Sequence, residues 1–542
     1  MLQVERDYDQ VLEIYISHPC QFTGSSGSAM NPFIFLDMEF PILLASLLFI
    51  YVALRLWRKS KGSDHSTPTL PPGPWKLPLI GNMHQLAGSL PHHRLRDLAK
   101  KYGPVMQLQI GQVSTVIVSS GEAAKQVMKT HEINFVERPC LLVASIMFYD
   151  RKNIGFAPYG DYWRQMRKVC TLELFSAKRV RSFRSVREEE VSSFIRNIHA
   201  KAGSPINLSK MMLDLSNGVI ARTSIGKKSK NQEGFLPIIQ DVAEALAGLN
   251  IVDLFPSAKF LYKISKLRSR LERSHQEADE MLENIINERR ASKEGRKTDQ
   301  DNEVEVLLDV LLNLQNQGSL EFPLTTDSIK AIIVEMFGAG SETTSTLLEW
   351  SMSEMLKNPR VMKKAQEEVR QVFSDSENVD EAGLQNLKFL KLIIKETLRL
   401  HPPISLIPRE CSKTCEIDGH VIQAKSKVII NAWAIGRDSN SWTEAEKFYP
   451  ERFQDSSIDY KGTNFEFIPF GAGKRMCPGM LFGIGNAELL LARLLYHFDW
   501  KLPNGEAFED LDMNEAFGGT VTKKHHLNLI PIPHAPCLLP VE

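Results

Sequence analysis

One apolar run near the start of the chain constrains everything after it. Phe40 to Leu54 carries no charge, and Leu56 and Trp57 extend the segment. That gives about 20 residues, the length a helix needs to cross a bilayer. Arg55 lies inside the run, but its long stem lets the guanidinium reach the interface. Arg55, Arg58, Lys59 and Lys61 flank the far end, whereas Glu5, Asp7, Asp9, Glu13, Asp37 and Glu39 precede it. Cationic flanks stay in the cytosol, so the pattern predicts a single-pass anchor with the rest of the chain facing the cytosol. The one-sided charge argues against a buried core helix. No small-residue cleavage site follows, so the segment reads as a retained anchor, not a removed leader.

This run divides the chain. Residues 1–37 lack periodicity, include Gly24-Ser25-Ser26-Gly27-Ser28, and read as a disordered N-terminal extension ahead of a start at Met38. Residues 38–60 are the anchor. Residues 61–74 form a polar linker ending in Pro71-Pro72-Gly73-Pro74, whose fixed φ angles predict a stiff hinge. Residues 75–542 contain no long Gly/Ser/Pro linker and read as one large body. Lys+Arg and Asp+Glu are equal at 65 each, which argues against a nucleic-acid partner. The seven cysteines are scattered and odd in number, which fits a reducing compartment better than a disulfide framework.

Long amphipathic segments dominate the body. Helices are predicted over Leu267–Arg290, from Ser328 to about Leu356 with Asp327 as cap, and over Leu387–Leu400, where His401-Pro402-Pro403 stops the chain. Gly338 and Gly340 are expected to interrupt the second of these. Strand-like runs are few: Val105–Ile110, Ser114–Val118, Val428–Ile430 and Leu527–Ile530. The expectation is a mainly α protein with small β-sheets.

Zinc-protease, nucleophile-elbow and phosphate-loop motifs are absent, so the chemistry must lie elsewhere. Phe470-Gly471-Ala472-Gly473-Lys474-Arg475-Met476-Cys477-Pro478-Gly479 puts one cysteine in a glycine-rich loop. Glycines allow tight turns and close backbone approach to a flat ligand. A helix predicted from Leu481 would turn its positive end toward the sulfur. A buried thiolate needs a countercharge, which a ferric haem would supply. From the local pattern alone, a haem ligand and a reduced structural cysteine both remain open.

Further motifs then fall in order. Phe470, Gly473, Arg475, Cys477 and Gly479 form FxxGxRxCxG. Glu396-Thr397-Leu398-Arg399 forms ExxR, and Pro450-Glu451-Arg452-Phe453 forms PERF. Ala339-Gly340-Ser341-Glu342-Thr343-Thr344 and Trp163-Arg164-Gln165-Met166-Arg167 complete the set. The chain from the anchor to near its C-terminus resembles the cytochrome P-450 superfamily, in particular plant microsomal members that oxidise terpenoids and other specialised metabolites.

That resemblance implies the cytochrome P-450 fold and haem b with Cys477 as the axial thiolate and metal ligand. Phe470 would pack beside the sulfur and keep water away, and Gly473 would belong to its loop. Arg475, Trp163, Arg167, Arg138 and Arg409 would hold the propionates, and arginine's planar fork suits carboxylates. Glu396, Arg399 and Arg452 would form a structural cluster. Thr343 and Glu342 would relay protons for oxygen activation. Ile146, Met147, Phe148, Met336, Phe337, Ala339, Ile404, Leu406 and Gly519 would line a substrate pocket for a hydrophobic small molecule, a terpenoid by analogy. Electrons would come from NADPH indirectly, through NADPH–cytochrome P-450 reductase, with cytochrome b5 as a second donor. The cationic run Arg164, Lys168, Lys178, Arg179, Arg181, Arg184 and Arg187 would steer that partner. The implied location is the endoplasmic reticulum membrane. Two rivals stand beside this monooxygenase reading: a reductase-independent haem-thiolate isomerase or dehydratase, and a haem sensor built on Cys477-Pro478.

Overall fold

The computed structural model describes Ser46 and residues 69–226, 232–247, 250–295, 305–374, 379–505 and 507–534. The extension 1–37, the anchor 38–60 apart from Ser46, and residues 61–68 of the linker lie outside the described residues. Contacts divide the chain into Met1–Thr67 and Pro68–Glu542. The second unit is the one described below.

The principal helices are α1 (Pro91–Tyr102), α2 (Asp161–Val169), α3 (Leu208–Ile225), α4 (Gln232–Leu246), α5 (Lys266–Gly295), α6 (Thr326–Lys357), α7 (Lys388–Leu400) and α8 (Met480–His497). Helix α6 runs through the body and is buried on nearly every side over its second half. Its cap is Thr325, whose hydroxyl accepts from the Ser328 amide at 3.2 Å. Asp327, the expected cap, instead accepts from Lys152 Nζ at 2.6 Å. Gly338 and Gly340 do not break α6, which is continuous through both. A Cβ at Gly340 would lie 2.4 Å from Ile220 Cδ1 on α3, so this glycine lets the two helices pack closely.

Eleven strands among the described residues form four small sheets. β1 (Val105–Ile110), β2 (Val113–Val118), β7 (Lys427–Asn431) and β4 (Leu406–Glu410) make the largest, in the order β1-β2-β7-β4. The β2/β7 pairing is parallel and its neighbours are antiparallel. β3 (Ile206–Asn207), β11 (Asn528–Pro533) and β8 (Phe498–Lys501) form a second sheet. Two ribbons complete the set: β5 (Cys415–Ile417) with β6 (His420–Ile422), and β9 (Glu515–Phe517) with β10 (Val521–Lys523). Architecture is therefore mainly α with small sheets. The core is one large cluster spanning the helices, with two smaller ones around the four-stranded sheet.

Proline-rich residues 71–74 do not stand free as a hinge. The Gln107 amide donates to Pro72 O at 2.8 Å. A Cβ at Gly73 would lie 2.0 Å from Gln107 O, so only glycine permits this docking against β1.

Candidate active site

The Phe470–Gly479 loop is shaped by its glycines. Gly471 and Gly473 adopt φ of +69° and +71°. A Cβ at Gly473 would meet Glu132 Oε1 and the Met128 carbonyl oxygen, so this position excludes every other residue twice over. Glu132 accepts from the Lys474 amide. The Cys477 amide donates to Phe470 O at 3.0 Å and closes the loop, while Phe470 meets the edge of Tyr460 at 5.4 Å. Met480, one residue earlier than predicted, opens α8. Enclosure pushes the Cys477 thiol pKa up, while the Gly479 amide and the Arg167 guanidinium pull it down. The thiol nevertheless borders open space.

Arginines converge on the same region. An antiparallel bridge between Glu137 and Glu410 places Arg138 opposite Arg409. Both guanidiniums donate to the Pro408 carbonyl, Arg409 at 3.0 Å. Arg475 donates to Val136 O (2.9 Å), Ile154 O (3.0 Å) and Ala157 O (2.6 Å), and its guanidinium lies 4.3 Å from the Trp163 ring centroid. Trp163 Nε1 also donates to Ile154 O, at 2.9 Å. Burial, then mutual repulsion, depresses these cations: Arg409 to about 9, and Arg138 well below its usual range. Arg475 falls to about 10, chiefly through burial. Among the described residues, none of Arg138, Arg167, Arg409 and Arg475 has a carboxylate within ion-pair distance. Unpaired buried cations are costly, and Arg138 Nε has no partner at all. A ligand carrying carboxylates and seated on a thiolate fits this set, as haem does.

The loop that presents Ile154 O is itself pinned by Glu335, which sequence reasoning did not single out. Its carboxylate accepts from the Ile154 amide at 3.0 Å and the Gly155 amide at 2.7 Å. Burial lifts its pKa to about 7. Its partners are backbone amides, so the sequence carried no signal for this role.

On α6, a Cβ at Gly338 would meet nothing within 4 Å, and Ala339 is exposed in the middle of an interior helix. This stretch of α6 therefore borders open space. Thr343 Oγ1 donates to Ala339 O at 2.6 Å. Glu342 Oε2 accepts from Thr520 Oγ1 at 3.5 Å, and burial raises the Glu342 pKa to about 7.

Several predicted pocket residues are placed differently. Met147 and Phe337 are fully buried, with Phe337 stacked on Phe235 at 4.6 Å, so they back a pocket without bordering it. Phe148 and Met336 are nearly closed off, whereas Ile146 is partly buried. Ile404 is 43% exposed. Leu406 packs with the α1/β1 cluster, because strand alternation turns it to the face of β4 opposite Arg409. Gly519 donates from its amide to Ala243 O at 2.9 Å.

The cationic run is largely neutralised. Arg187 is buried against Glu381, and Arg179, Arg184 and Arg164 pair with Glu305, Glu188 and Asp161. Among the described residues of that run, Lys168, Lys178 and Arg181 have no acidic partner and remain for steering.

A cysteine in a glycine-shaped loop, beside buried arginines with no carboxylate partner, fits a haem-thiolate class of protein. The comparisons carry this further. Residues 71–529 match the family model described as Cytochrome P-450. The chain belongs to that family, whose members are monooxygenases. Desmethyl-deoxy-podophyllotoxin synthase of Sinopodophyllum hexandrum is 53% identical, covering 91% of this chain and 97% of the relative. Premnaspirodiene oxygenase of Hyoscyamus muticus is 48% identical, covering 92% and 99%. A zebra fish cytochrome P-450 structure with progesterone superposes with a TM-score of 0.70 at 23% identity, covering 82% of this chain and all of that one.

Proposed function

We propose that this protein is a membrane-anchored monooxygenase that hydroxylates an apolar terpenoid. The overall change is RH + O₂ + NADPH + H⁺ → ROH + H₂O + NADP⁺, with electrons delivered by NADPH–cytochrome P-450 reductase. The observation that carries the reading is the group of unpaired guanidiniums beside Cys477. Haem bound there supplies the oxidising chemistry that amino-acid side chains lack. Cys477 would be its thiolate, and Arg138, Arg409, Arg475, Arg167 and Trp163 would orient its carboxylates. The relative named for oxygenating premnaspirodiene favours a terpenoid substrate. Incubating microsomes that hold this protein and reductase with sesquiterpene hydrocarbons and NADPH tests the reading: a hydroxylated, NADPH-dependent product is expected.

The chain's own part in the reaction is proton handling and water exclusion. Thr343 already donates its hydroxyl proton to Ala339 O, so its lone pairs are left to accept from a donor. Near neutral pH Glu342 is partly protonated and could be that source. Thr343→Ala should preserve haem content but lower the ratio of product to NADPH consumed, with hydrogen peroxide rising in its place. A positioned proton donor is worth roughly 10²–10⁴-fold, and water substitutes in part, so the loss should lie at the lower end. An unchanged ratio would leave Thr343 as a helix residue only. Glu342 donates only while protonated, so the same ratio should fall as pH rises through about 7. Glu342→Gln should flatten that profile.

Membrane attachment draws on a second surface besides residues 38–60. Trp75, Leu79 and Ile80 are 64%, 87% and 38% exposed, and Phe260 and Ile264 are 64% and 70% exposed. The β1–β2 turn joins the two groups: the Gly111 amide donates to Ile80 O, and the Gln112 amide to Leu254 O. An apolar patch of this kind marks a membrane or partner surface. Gly234–Leu254 is also long and apolar enough to cross a membrane, yet Phe235, Ile238, Ile239 and Val242 are buried in the core. Deleting residues 1–37 should leave membrane association and activity intact. Deleting 40–57 should release much of the protein on carbonate-free flotation, with the residue held by the patch.

A further inference from the structure

The ribbon β9–β10 has three paired positions, and a two-stranded ribbon that short has little stability of its own. Its placement must come from its anchors. At its tip, Gly519 donates to Ala243 O on α4, and Thr520 donates to Glu342 on α6. At its base, four residues before Gly519, stands Glu515.

Glu515 is the centre of a polar cluster in an otherwise apolar region. Its Oε2 lies 2.7 Å from His92 Nε2 and 2.7 Å from His93 Nε2. Its Oε1 accepts from Trp433 Nε1 at 3.2 Å and lies 3.7 Å from His401 Nδ1. Burial raises the carboxyl pKa, but the three imidazoles outweigh it and hold Glu515 well below the usual range. The ionised carboxylate only accepts, so both Nε2 atoms donate, which leaves His92 Nδ1 buried and unpartnered. His401 continues the chain to Glu354 at 2.7 Å and stacks on Trp350 at 4.0 Å. Trp350 Nε1 in turn donates to Val521 O at 2.9 Å, on β10.

His92, His93 and Glu515 place three ligand atoms within 4.8 Å of one another. A cation is nevertheless disfavoured, because Arg437 and Arg96 already lie 3.9 and 4.7 Å from the Trp433 ring centroid.

We propose that Glu515 is a specificity-determining positioning residue: through His92, His93 and Trp433 it fixes the base of the β9–β10 ribbon, and so fixes how far Gly518–Thr520 reaches toward Glu342 on α6. Size selection in the pocket is thereby set by a carboxylate that no substrate touches. The proposal rests on the haem-thiolate reading for its ligand-binding readout, but not for its backbone readout.

The test uses the haem-loaded full chain in nanodiscs, as parent and Glu515→Gln. Glutamine keeps the shape but has one acceptor oxygen and no charge, so it cannot accept from the two imidazoles and from Trp433 Nε1 together. Lost charge-assisted bonds should speed hydrogen exchange at the Gly519 and Val521 amides about tenfold. The spectral affinity for 4-phenylimidazole should shift by roughly tenfold while that for imidazole itself holds. Exchange at α3 amides should not change. Unaltered exchange at the tip, or equal shifts for the small and bulky ligands, would overturn the proposal. His93→Ala, at a partly exposed position, removes one donor and should move both readouts the same way by less; it decides the question if Glu515→Gln fails to retain the carbonyl spectrum of the parent. A parent without that spectrum would sink the haem reading, and amide exchange would still decide the role of Glu515.

Discussion

Cys477→Ser is expected to abolish the far-red-shifted Soret band of the reduced carbonyl complex and to bring product formation down to background. The serine hydroxyl fits the same loop, because the Cys477 amide bond to Phe470 O and the positive φ of Gly471 and Gly473 belong to the backbone. Folding should therefore survive, and the change should be confined to the ligand. A thiolate pushes electron density to the metal and favours O–O cleavage, which a neutral alcohol does not. The local electrostatics sharpen the contrast. Enclosure disfavours an anion at position 477, and the nearby Arg167 and Gly479 amide offset only part of that penalty. The ferric countercharge would supply the remainder for sulfur, whose proton is far easier to remove than that of a hydroxyl. Persistence of the band in Cys477→Ser would show that Cys477 is not the haem ligand, and the arginine cradle would need another partner.

Elements whose partners lie close in sequence could be read before the fold was known. Val105–Ile110 is a strand with the predicted bounds, and α7 ends at Leu400 ahead of His401-Pro402-Pro403. Spacing alone puts Glu396 and Arg399 on one helix face. What could not be read was set by residues far away in the chain. The cationic run looked like a free patch in part because two of its acids, Glu381 and Glu305, lie up to 194 positions away, whereas Glu188 and Asp161 are near neighbours that helix spacing could have shown. Leu406 looked like a pocket residue until pairing with β7 fixed which face of β4 it occupies. Gly338 and Gly340 looked alike as helix breakers, yet one borders open space and the other makes room for Ile220. The role of Glu335 depends on two backbone amides from a loop 180 residues earlier, and no side-chain pattern announces such a bond.

The distinction between local and distant partners governs the other large effect. Glu396→Ala should cost more stability than any other single change at this site. Glu396 is fully buried and accepts from Arg399 Nε and Nη2, each at 2.8 Å, from Arg452 Nε at 2.9 Å and from the Tyr449 amide at 2.8 Å. Arg399 goes on to hold Gly436 O and Ala445 O at 2.6 Å each and Lys447 O at 3.0 Å. Arg452 holds Thr443 O at 2.7 Å. One carboxylate thus neutralises two guanidiniums that between them tie down the irregular segment 436–452, which carries no sheet or long helix of its own. Alanine would strand both cations in a dry site. Breaking a buried pair costs about 3–5 kcal/mol, and two stranded charges place the loss at the upper end. Native proteins keep only about 5–15 kcal/mol in total. The variant should therefore lose haem on expression and unfold well below the parent in a thermal melt. Arg399→Ala removes the partner instead and leaves the carboxylate with Arg452, so it should be the milder change. In a double-mutant cycle the two should couple by roughly 1–3 kcal/mol, because the second removal takes away a charge the first had stranded. Additive losses would mean that the carboxylate and Arg399 act independently, and the cluster would then be a set of separate loop anchors.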